Sequence, residues 1–317
     1  MFLRAFFFTF LLATPICAEP LVLNLPIDCD LGETCFVQQY MDIDPTKGAR
    51  DFGGGTVTYD GHKGTDFRLT SQKAMHAGVA VAAAAAGSVK RVRDGMADRM
   101  IRTDADRARI KGKECGNGVV IDHGNGWETQ YCHMKRGSIV VVKGQQVQVG
   151  EVLGQVGLSG KTQFPHVHIA VRKDGQKVDP FDPDANLWAK ALRPAIAYRP
   201  TRIINIGFAD GAVKMADILR GKFEGFTPNK TSAAVVAYMR AINLIKGDRV
   251  RLTLKGPKGR ITTKLYKPVP RAKAHQMYFT GKKRPSGGWP AGGYTVQAEV
   301  LRDGVVVDAE TLIATTE

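Results

Sequence analysis

Short apolar runs separated by turn-forming residues recur along the chain from about residue 51 to residue 183. Runs of about four to eight residues that are rich in Val and Ile and bounded by Gly, Asn or Asp are typical of antiparallel strands. The alanine run at 82–86 also permits a helix, because Ala has the highest helix propensity. The runs predict strands at 79–86, 88–92, 119–122, 128–132, 138–142, 152–156 and 166–172.

A second group of apolar runs follows Pro194 and Pro200. About seven short strands with turns between them are typical of an immunoglobulin-like sandwich, and Asp303-Gly304 is a hairpin signal. This half contains one histidine, His275, and no cluster of acids and histidines, so we interpret it as a binding or spacing module. The runs predict strands at 202–207, 233–239, 249–254, 261–265, 276–280, 294–302 and 305–312.

The sequence therefore predicts a mainly β protein, with an antiparallel β-sheet domain followed by an immunoglobulin-like β-sandwich. Arg4 before an apolar run and Ala18 after it have the form of a signal peptide cleaved after Ala18. We therefore expect a periplasmic or secreted protein without a membrane span. The expected segments are a signal peptide at 1–18, an N-terminal segment with a small disulfide loop at 19–50, the first domain at 51–184, a linker at 185–200 and the sandwich at 201–317.

Lys and Arg outnumber Asp and Glu by 45 to 30, which gives a formal net charge of +15 at pH 7. Nucleic acid is the default partner of a basic cytosolic protein, but for an exported protein we expect anionic polymers of the cell envelope and no nucleic acid. Charges of both signs crowd the stretch at 90–113. We interpret this stretch as a solvated surface insertion.

Four cysteines remain after the expected cleavage, and an even number in an exported chain favours disulfides over metal binding. Three pairings are formally possible. If residues 123–126 turn a hairpin with Asp122 opposite Trp127, then Cys115 and Cys132 come within two residues of register. The other two cysteines then close a small local loop. The expected disulfides are Cys115–Cys132 and Cys29–Cys35.

Two histidines separated by one residue, His166 and His168, lie in a strand-like alternation with apolar residues. Side chains alternate along a strand, so both imidazoles project from one face. Upstream, His62 and Asp66 are four residues apart, and Gly64 between them permits a tight bend. Imidazole nitrogen and carboxylate oxygen are ligands that Zn²⁺ accepts. Either pair alone also occurs by chance, so the surrounding sequence has to decide.

The surrounding sequence resembles the lysostaphin-like (LytM-type) family of zinc peptidoglycan endopeptidases over most of residues 51–183. Gly-His-Lys-Gly-Thr-Asp at 61–66 resembles the first metal motif of that family, and the glycine-flanked segment at 116–126 resembles the hairpin before its central histidine. Tyr-Cys-His-Met at 131–134 resembles the segment that carries this histidine. Residues 142–157 resemble the glycine-punctuated turn region of the family, and Pro-His-Val-His at 165–168 resembles its closing motif.

The resemblance implies a zinc metalloendopeptidase that hydrolyses peptide bonds in peptidoglycan stem peptides or cross-bridges, with one Zn²⁺ per chain. It implies His62, Asp66 and His168 as metal ligands, with water or substrate in the fourth position. His133 and His166 are then the catalytic residues beside the metal. One accepts a proton from the attacking water, and the other stabilises the oxyanion and protonates the leaving amine. The sequence does not divide these roles between them.

The chain departs from the family pattern in two places, and these leave its substrate preference open. Ile169-Ala170 follow the closing motif where family members usually carry an aromatic residue and a glutamate, and Gln163-Phe164 replace a Thr-Gly pair. The charged insertion at 94–113 is either part of the substrate groove or a surface elaboration.

Two other function classes remain as alternatives. Some members of the family have lost metal ligands and act as non-catalytic, cell-wall-binding regulators of amidases, but this chain retains all five expected site residues. An envelope-binding module that uses the basic surface and the sandwich is the third interpretation. It predicts wall binding that survives chelation, without cleavage.

Overall fold

The computed structural model describes residues 21–316, so the expected signal peptide and its cleavage after Ala18 lie outside the described residues. Within its sheets, neighbouring strands pair antiparallel, and the predicted mainly β fold class is confirmed.

The helices are α1 (Gln72–Ala77), α2 (Asp104–Arg109) and α3 (Met215–Arg220). The strands are β1 (Cys35–Gln39), β2 (Thr65–Leu69), β3 (Ala80–Ala82), β4 (Gly87–Arg93), β5 (Asn117–Asp122), β6 (Trp127–Met134), β7 (Gln146–Val147), β8 (Val152–Gln155), β9 (His166–Lys173), β10 (Gln176–Val178), β11 (Arg202–Ala209), β12 (Ala234–Leu244), β13 (Arg249–Gly256), β14 (Gly259–Leu265), β15 (Lys273–Lys283), β16 (Gly292–Arg302) and β17 (Val305–Thr316).

One large sheet carries the histidine motifs. Its strands lie in the order β1, β2, β9, β6, β5, β4 and β7, with β10 added beside β9, while β3 and β8 form a separate pair. On β9 the side chains of Val167, Ile169 and Val171 are almost fully buried in the hydrophobic core. His166 and His168 occupy the opposite face, because side chains alternate along a strand. The alternation predicted for this strand is confirmed.

The residues before position 51 complete this sheet. β1 pairs with β2 so that Cys35 lies opposite Leu69, and the Cys29–Cys35 disulfide joins Cα atoms 6.0 Å apart. Trp188, from the segment expected to be a linker, packs in the same core with its ring 5.9 Å from that of Phe67. Both flanking segments therefore contribute to the core of the first domain.

The second half of the chain is a two-layer sandwich. β11, β12 and β15 form one sheet, and β14, β13, β16 and β17 form the other. Their facing side chains share one core, in which Tyr294, Val296, Ala298 and Val300 of β16 are fully buried. All seven predicted strands are present, each within a few residues of its expected range. The assignment of this sandwich to the immunoglobulin-like class stays a prediction.

Several local predictions were wrong. Residues 138–142 form no strand, and 82–86 form neither a helix nor a full strand, because β3 ends at Ala82. The three helices were not predicted, because a helix of six residues presents too few turns for an apolar period to be recognised. None of the helices within 21–316 is long and apolar enough to cross a membrane.

The hairpin between β5 and β6 has a different register from the one expected. Asp122 lies opposite Glu128, and not opposite Trp127. The backbone N–H of His123 donates to the carbonyl of Trp127, and three consecutive residues at 124–126 have positive φ, so the turn is one residue longer at its base. The Cys115–Cys132 disulfide still forms across the strands, with Cα atoms 4.8 Å apart.

The sandwich packs against β1 through polar contacts. Asn243 donates its side-chain amide to the Gln38 carbonyl over 2.9 Å, and Gln38 donates to Asn243 Oδ1 and to the Ala274 carbonyl, each over 3.2 Å. Arg240 of β12 reaches the carbonyl of Thr70, just after β2. These contacts bring the β15 residue Ala274 to the edge of the histidine-bearing face.

Candidate metal centre

The pairing of two strands brings together motifs that are about 100 residues apart in sequence. Asp66 on β2 lies directly opposite His168 on β9, and Arg68 lies opposite His166. Side chains of directly paired residues share one face of a sheet, with Cβ atoms about 5 Å apart. Asp66, Arg68, His166 and His168 therefore all project from the face that does not pack on the core. His62 reaches the same place from the turn before β2, in which its N–H donates to the Tyr59 carbonyl.

His62, Asp66 and His168 present three potential ligand atoms to one point. His62 Nε2 lies 3.1 Å from Asp66 Oδ1 and 3.2 Å from His168 Nδ1, and the last two atoms are 2.8 Å apart. Four ligands at about 2.0–2.1 Å around a tetrahedral zinc stand about 3.3 Å from one another. The three separations are close to that value, so the residues fit a tetrahedral cation with one position left for another ligand.

Neighbouring groups fix the orientation of these ligands. His62 Nδ1 donates to the backbone carbonyl of Tyr40 over 2.6 Å, which leaves Nε2 as the ring nitrogen that faces Asp66 and His168. A Cβ at Gly64 would overlap the carbonyl oxygen of Ile169 and lie 2.9 Å from His168 Nε2. Gly64 is thus required by the close approach of the two strands, in addition to the bend expected from the sequence.

His133 and His166 lie beside this triad. Their ring centroids are 4.6 Å apart, and His166 Nε2 is 3.6 Å from Asp66 Oδ1. His133 Nδ1 donates to the Ser159 carbonyl over 2.8 Å, and His166 Nδ1 donates to the Phe164 carbonyl over 2.9 Å. In the neutral state both rings therefore carry the proton on Nδ1 and present an Nε2 lone pair.

The backbone at His133 is unusual. Its φ is +63°, in the left-handed region that non-glycine residues seldom adopt. Its N–H donates to the Cys115 carbonyl over 2.8 Å, and its neighbour Cys132 forms the disulfide to Cys115. The disulfide and this hydrogen bond hold the strained residue in place.

Burial sets the protonation of the site. Removal from water, helped by the charges of neighbouring histidines, holds the pKa of His133 well below its usual range. Removal from water also lowers the pKa of His166 and of His168, although Asp66 opposes it in both cases. For His62, burial acts in the same direction, but the Asp66 carboxylate and the Tyr40 carbonyl outweigh it and raise the pKa.

Asp66 is the anion that these histidines share. Burial alone would raise its pKa, but electrostatic interaction with His62 and His166 and the hydrogen bonds from His168 and His62 hold the pKa of Asp66 well below its usual range. Asp66 is therefore ionised at neutral pH. His133 and His166 are neutral there, as a metal centre with two basic neighbours requires.

A groove passes through the site and has two arms, which meet at Tyr59, His133, Lys161 and His168. The first, which we name the basic arm, is a cavity of about 300 Å³. Among its lining residues are Ile101, Arg107, Lys161, Phe164 and Ala274. The second arm, of about 520 Å³, is lined by charges of both signs, among them Asp60, Lys63, Glu114 and Arg172.

Some groove residues were not found from the sequence. The ring of Tyr59 lies 4.6 Å from that of His62, and Ile101 and Arg107 come from the insertion. The position of Tyr59 three residues before His62 is a signal that could have found it. The sequence left open whether the insertion at 94–113 belongs to the groove, and Ile101 and Arg107 of the insertion line it. The sequence did not indicate these two residues, since the docking of the insertion depends on contacts that are distant in the chain.

Two further histidines and one tyrosine have structural roles. His123 bonds to the Ala86 carbonyl and to Thr129 Oγ1 beside the hairpin turn, and His76 is exposed in the last turn of α1. Tyr131 is fully buried, and its hydroxyl accepts from the Ala84 N–H.

Comparisons with known proteins point to one family for the region that carries this site. The model of the family described as Peptidase family M23 matches residues 60–180. Relatives include the DD-carboxypeptidase/endopeptidase Mpg of Neisseria meningitidis serogroup B, which is 41% identical over 83 residues, or 25% of this chain and 19% of that protein. The peptidoglycan DD-endopeptidase ShyA of Vibrio cholerae is 41% identical over 64 residues, or 20% of this chain and 14% of that protein.

The cell division protein DipM of Caulobacter vibrioides is 41% identical over 73 residues, or 22% of this chain and 11% of that protein. The chain thus spans about a fifth or less of the length of these relatives. The solved catalytic domain of lysostaphin from Staphylococcus simulans is 20% identical, over 47% of this chain and 89% of that chain, with a TM-score of 0.30. The lysostaphin-like resemblance is confirmed, because residues 60–180 match the model of peptidase family M23.

Proposed function

We propose that the chain is a zinc-dependent endopeptidase that hydrolyses peptide bonds in peptidoglycan stem peptides or cross-bridges. The observation that carries the proposal is the convergence of His62, Asp66 and His168 within hydrogen-bonding distance of one another, next to two neutral histidines. The relative ShyA, a peptidoglycan DD-endopeptidase, supports the substrate class, and the relative Mpg, a DD-carboxypeptidase/endopeptidase, supports the reaction class.

In this proposal His62 Nε2, an oxygen of Asp66 and His168 Nδ1 hold one Zn²⁺. When bound, zinc lowers the pKa of a coordinated water to about 7 and polarises a carbonyl oxygen. The donor set of two imidazoles and one carboxylate, with a fourth position free, is the kind that catalytic zinc sites use. Asp66 also supplies the negative charge that partly balances a dication in a buried site.

The flanking histidines supply proton transfer. Because Nδ1 of His133 and of His166 donates to a backbone carbonyl, the Nε2 lone pair of each ring is available to accept a proton from water. The ring that has been protonated then donates a hydrogen bond to the tetrahedral oxyanion or a proton to the leaving amine. The geometry is compatible with either division of the two roles.

The complete site favours an enzyme over a non-catalytic, cell-wall-binding regulator of amidases. A regulator has no need of three ligand atoms about 3 Å apart or of buried neutral bases beside them. We further propose that the protein acts in the cell envelope, periplasmic or secreted, with peptidoglycan as its partner. The excess of 45 basic over 30 acidic residues suits contact with anionic envelope polymers.

Digestion of purified sacculi tests the proposal. The mature chain is incubated with sacculi and zinc, and the released muropeptides are identified by mass spectrometry. We expect products cut at a peptide bond that disappear on chelation and return with zinc. The matched control is His76→Ala, which removes an exposed histidine outside the site and should leave the products unchanged. Wall binding with no zinc-dependent product would favour the regulator or the binding module.

A further inference from the structure

The basic arm of the groove carries cationic side chains that the metal centre does not use. Arg107 of α2 and Lys161 both line it. Asp66 is the one carboxylate among the described residues that line this arm, and three histidines already surround it. Arg107 lies 3.9 Å from Asp104, which is fully exposed on the same helix. An exposed pair at that distance contributes little, so the charge of Arg107 is available to a ligand.

A third cation lies directly behind the wall of this arm. Arg68 is 1% exposed and stacks on the ring of Phe164, with 4.4 Å from its guanidinium carbon to the ring centroid. Its hydrogen-bond partners are the neutral oxygens of Gln38 and Leu69, and within 21–316 no carboxylate lies within ion-pair distance of it. A buried guanidinium with neutral hydrogen-bond partners adds a positive potential to the space beside it, which Asp66 on the same face partly offsets.

The insertion that carries Arg107 is fixed against the groove. Asp98 accepts hydrogen bonds from the N–H groups of Leu158 and Arg136, over 2.7 and 2.9 Å. The N–H of Ile101 donates to the Thr162 carbonyl over 2.8 Å. Helix α2 begins with a capping box between Thr103 and Asp106. Arg107 therefore extends from an ordered wall, which reduces the entropy lost when it binds a ligand.

The walls of the arm also favour a charged contact. Ile101 and Phe164 line it with apolar surface, which excludes water and strengthens electrostatic attraction. Guanidinium groups bind carboxylates with two parallel hydrogen bonds. The opposite arm carries Lys63 and Arg172 together with two carboxylates, Asp60 and Glu114, which repel a further carboxylate.

We propose that the basic arm binds a carboxylate of the peptide substrate, with Arg107 as the main specificity-determining residue and Lys161 as a second cation. The inference rests on the proposed function for its ligand class, a peptide. In this arrangement, the part of the peptide that carries the carboxylate lies on the α2 side of the scissile bond. The rest of the peptide lies in the arm that contains Glu114.

The test uses the full chain with zinc and a synthetic stem peptide ending in D-Ala-D-Ala. In a set of derivatives, one carboxylate at a time is converted to an amide. We expect one amidation to raise KM about tenfold, because it removes a charge-assisted hydrogen-bonded pair. Arg107→Ala should raise KM for the parent peptide by a similar factor, with kcat changed by less than about threefold. Arg107→Ala should have no further effect on the sensitive amide derivative.

Two variants separate recognition from structure. Arg107→Lys should restore part of the lost affinity, because it returns the charge without the guanidinium fork. Arg102→Ala removes an exposed charge from the same insertion outside the groove and should leave KM unchanged. An equal effect of Arg107→Ala on the parent peptide and on every amide derivative would overturn the proposal, as would unchanged KM throughout.

Binding to a chain that cannot turn over keeps this inference separate from the enzymatic one. The parent peptide is titrated into His168→Ala and into His168→Ala with Arg107→Ala, by calorimetry. We expect about tenfold weaker binding in the double variant. If the wild type cleaves nothing but this difference persists, the endopeptidase proposal fails and the carboxylate site stands. If the wild type cleaves and the difference is absent, the carboxylate site is rejected.

Discussion

Asp66 and His168 lie directly opposite each other on β2 and β9, with 2.8 Å between Asp66 Oδ1 and His168 Nδ1. The register of two paired strands therefore sets this distance, and no flexible loop adjusts it. A slip of one residue would turn one side chain to the opposite face of the sheet. The same register places His166 within 3.6 Å of Asp66.

The ligands and the flanking histidines should respond differently to substitution. His168→Ala should lose both bound zinc and turnover, because it removes one of three ligand atoms. His133→Ala should keep most of the zinc and lower kcat by about 10²–10⁴-fold, the usual contribution of a general acid or base. Metal analysis and peptide cleavage on the same samples make the comparison. Equal loss of zinc in both variants would contradict the division between ligands and catalytic residues.

Gly64 should tolerate no side chain. In Gly64→Ala the new Cβ would overlap the carbonyl oxygen of Ile169, so β2 and β9 must separate. We expect a loss of about 2 kcal/mol or more in unfolding free energy, together with loss of zinc. Gly211→Ala is the control, since a Cβ there meets nothing within 4 Å. Denaturant unfolding and metal content measure both effects, and a stable, zinc-replete Gly64→Ala would refute the close-approach argument.

Both disulfides should stabilise the fold to different extents. Removing Cys115–Cys132, which are 17 residues apart, should lower the unfolding free energy by about 3 kcal/mol, and removing Cys29–Cys35, six residues apart, by about 2 kcal/mol. Removing Cys115–Cys132 should also reduce turnover, because this disulfide holds Cys132, the neighbour of His133, in place. Double Cys→Ala variants, denaturant unfolding and thiol counting provide the data. Free thiols at Cys115 and Cys132 in the folded protein would rule out this pair.

The stability of the fold should depend on Asp179 as pH changes. Desolvation raises the pKa of this carboxyl to about 6, and its Oδ2 has no hydrogen-bond partner among the described residues. Because the folded pKa lies above the unfolded value of about 3.8, the neutral form of Asp179 favours the folded state. The stability that this neutral carboxyl contributes is fully present below pH 4 and is lost as the pH rises through 6.

Asp179→Asn should remove this dependence. The unfolding free energy of the variant minus that of the wild type should increase by about 1–3 kcal/mol from pH 5 to pH 8. Denaturant unfolding at both pH values measures the difference, and other titrating groups cancel in the comparison. A constant difference between the two proteins across this range would show that Asp179 does not titrate there.

The part of the site that lies on β9 was predictable, because side chains alternate with a period of two residues along a strand. The alternation around His166 and His168 fixes which side chains share a face. Asp66 joins them on that face once its own strand, β2, pairs with β9. The carbonyl of Tyr40, which orients His62, left no trace in the sequence, because every residue type carries the same backbone group. Arg107 was missed for another reason, since Asp98 docks the insertion onto residues that are distant in the chain.

The sandwich strands were also predictable, from apolar runs bounded by turns. The short helices and the segment at 138–142 were not, because contacts with the rest of the fold decide their conformation and outweigh local propensity. The register of the hairpin at 123–126 differed by one residue, since consecutive positive-φ residues permit a longer turn than the sequence pattern suggests.

β1 is covered on both sides, by β2 within the sheet and by Asn243 of the sandwich. A chain trimmed to begin at residue 51 would lose this strand and leave the backbone N–H and C=O groups of β2 open to other chains. Such an open strand is a template for aggregation. Recombinant versions of this chain should therefore start well upstream of the histidine motif, or they will aggregate before any activity can be measured.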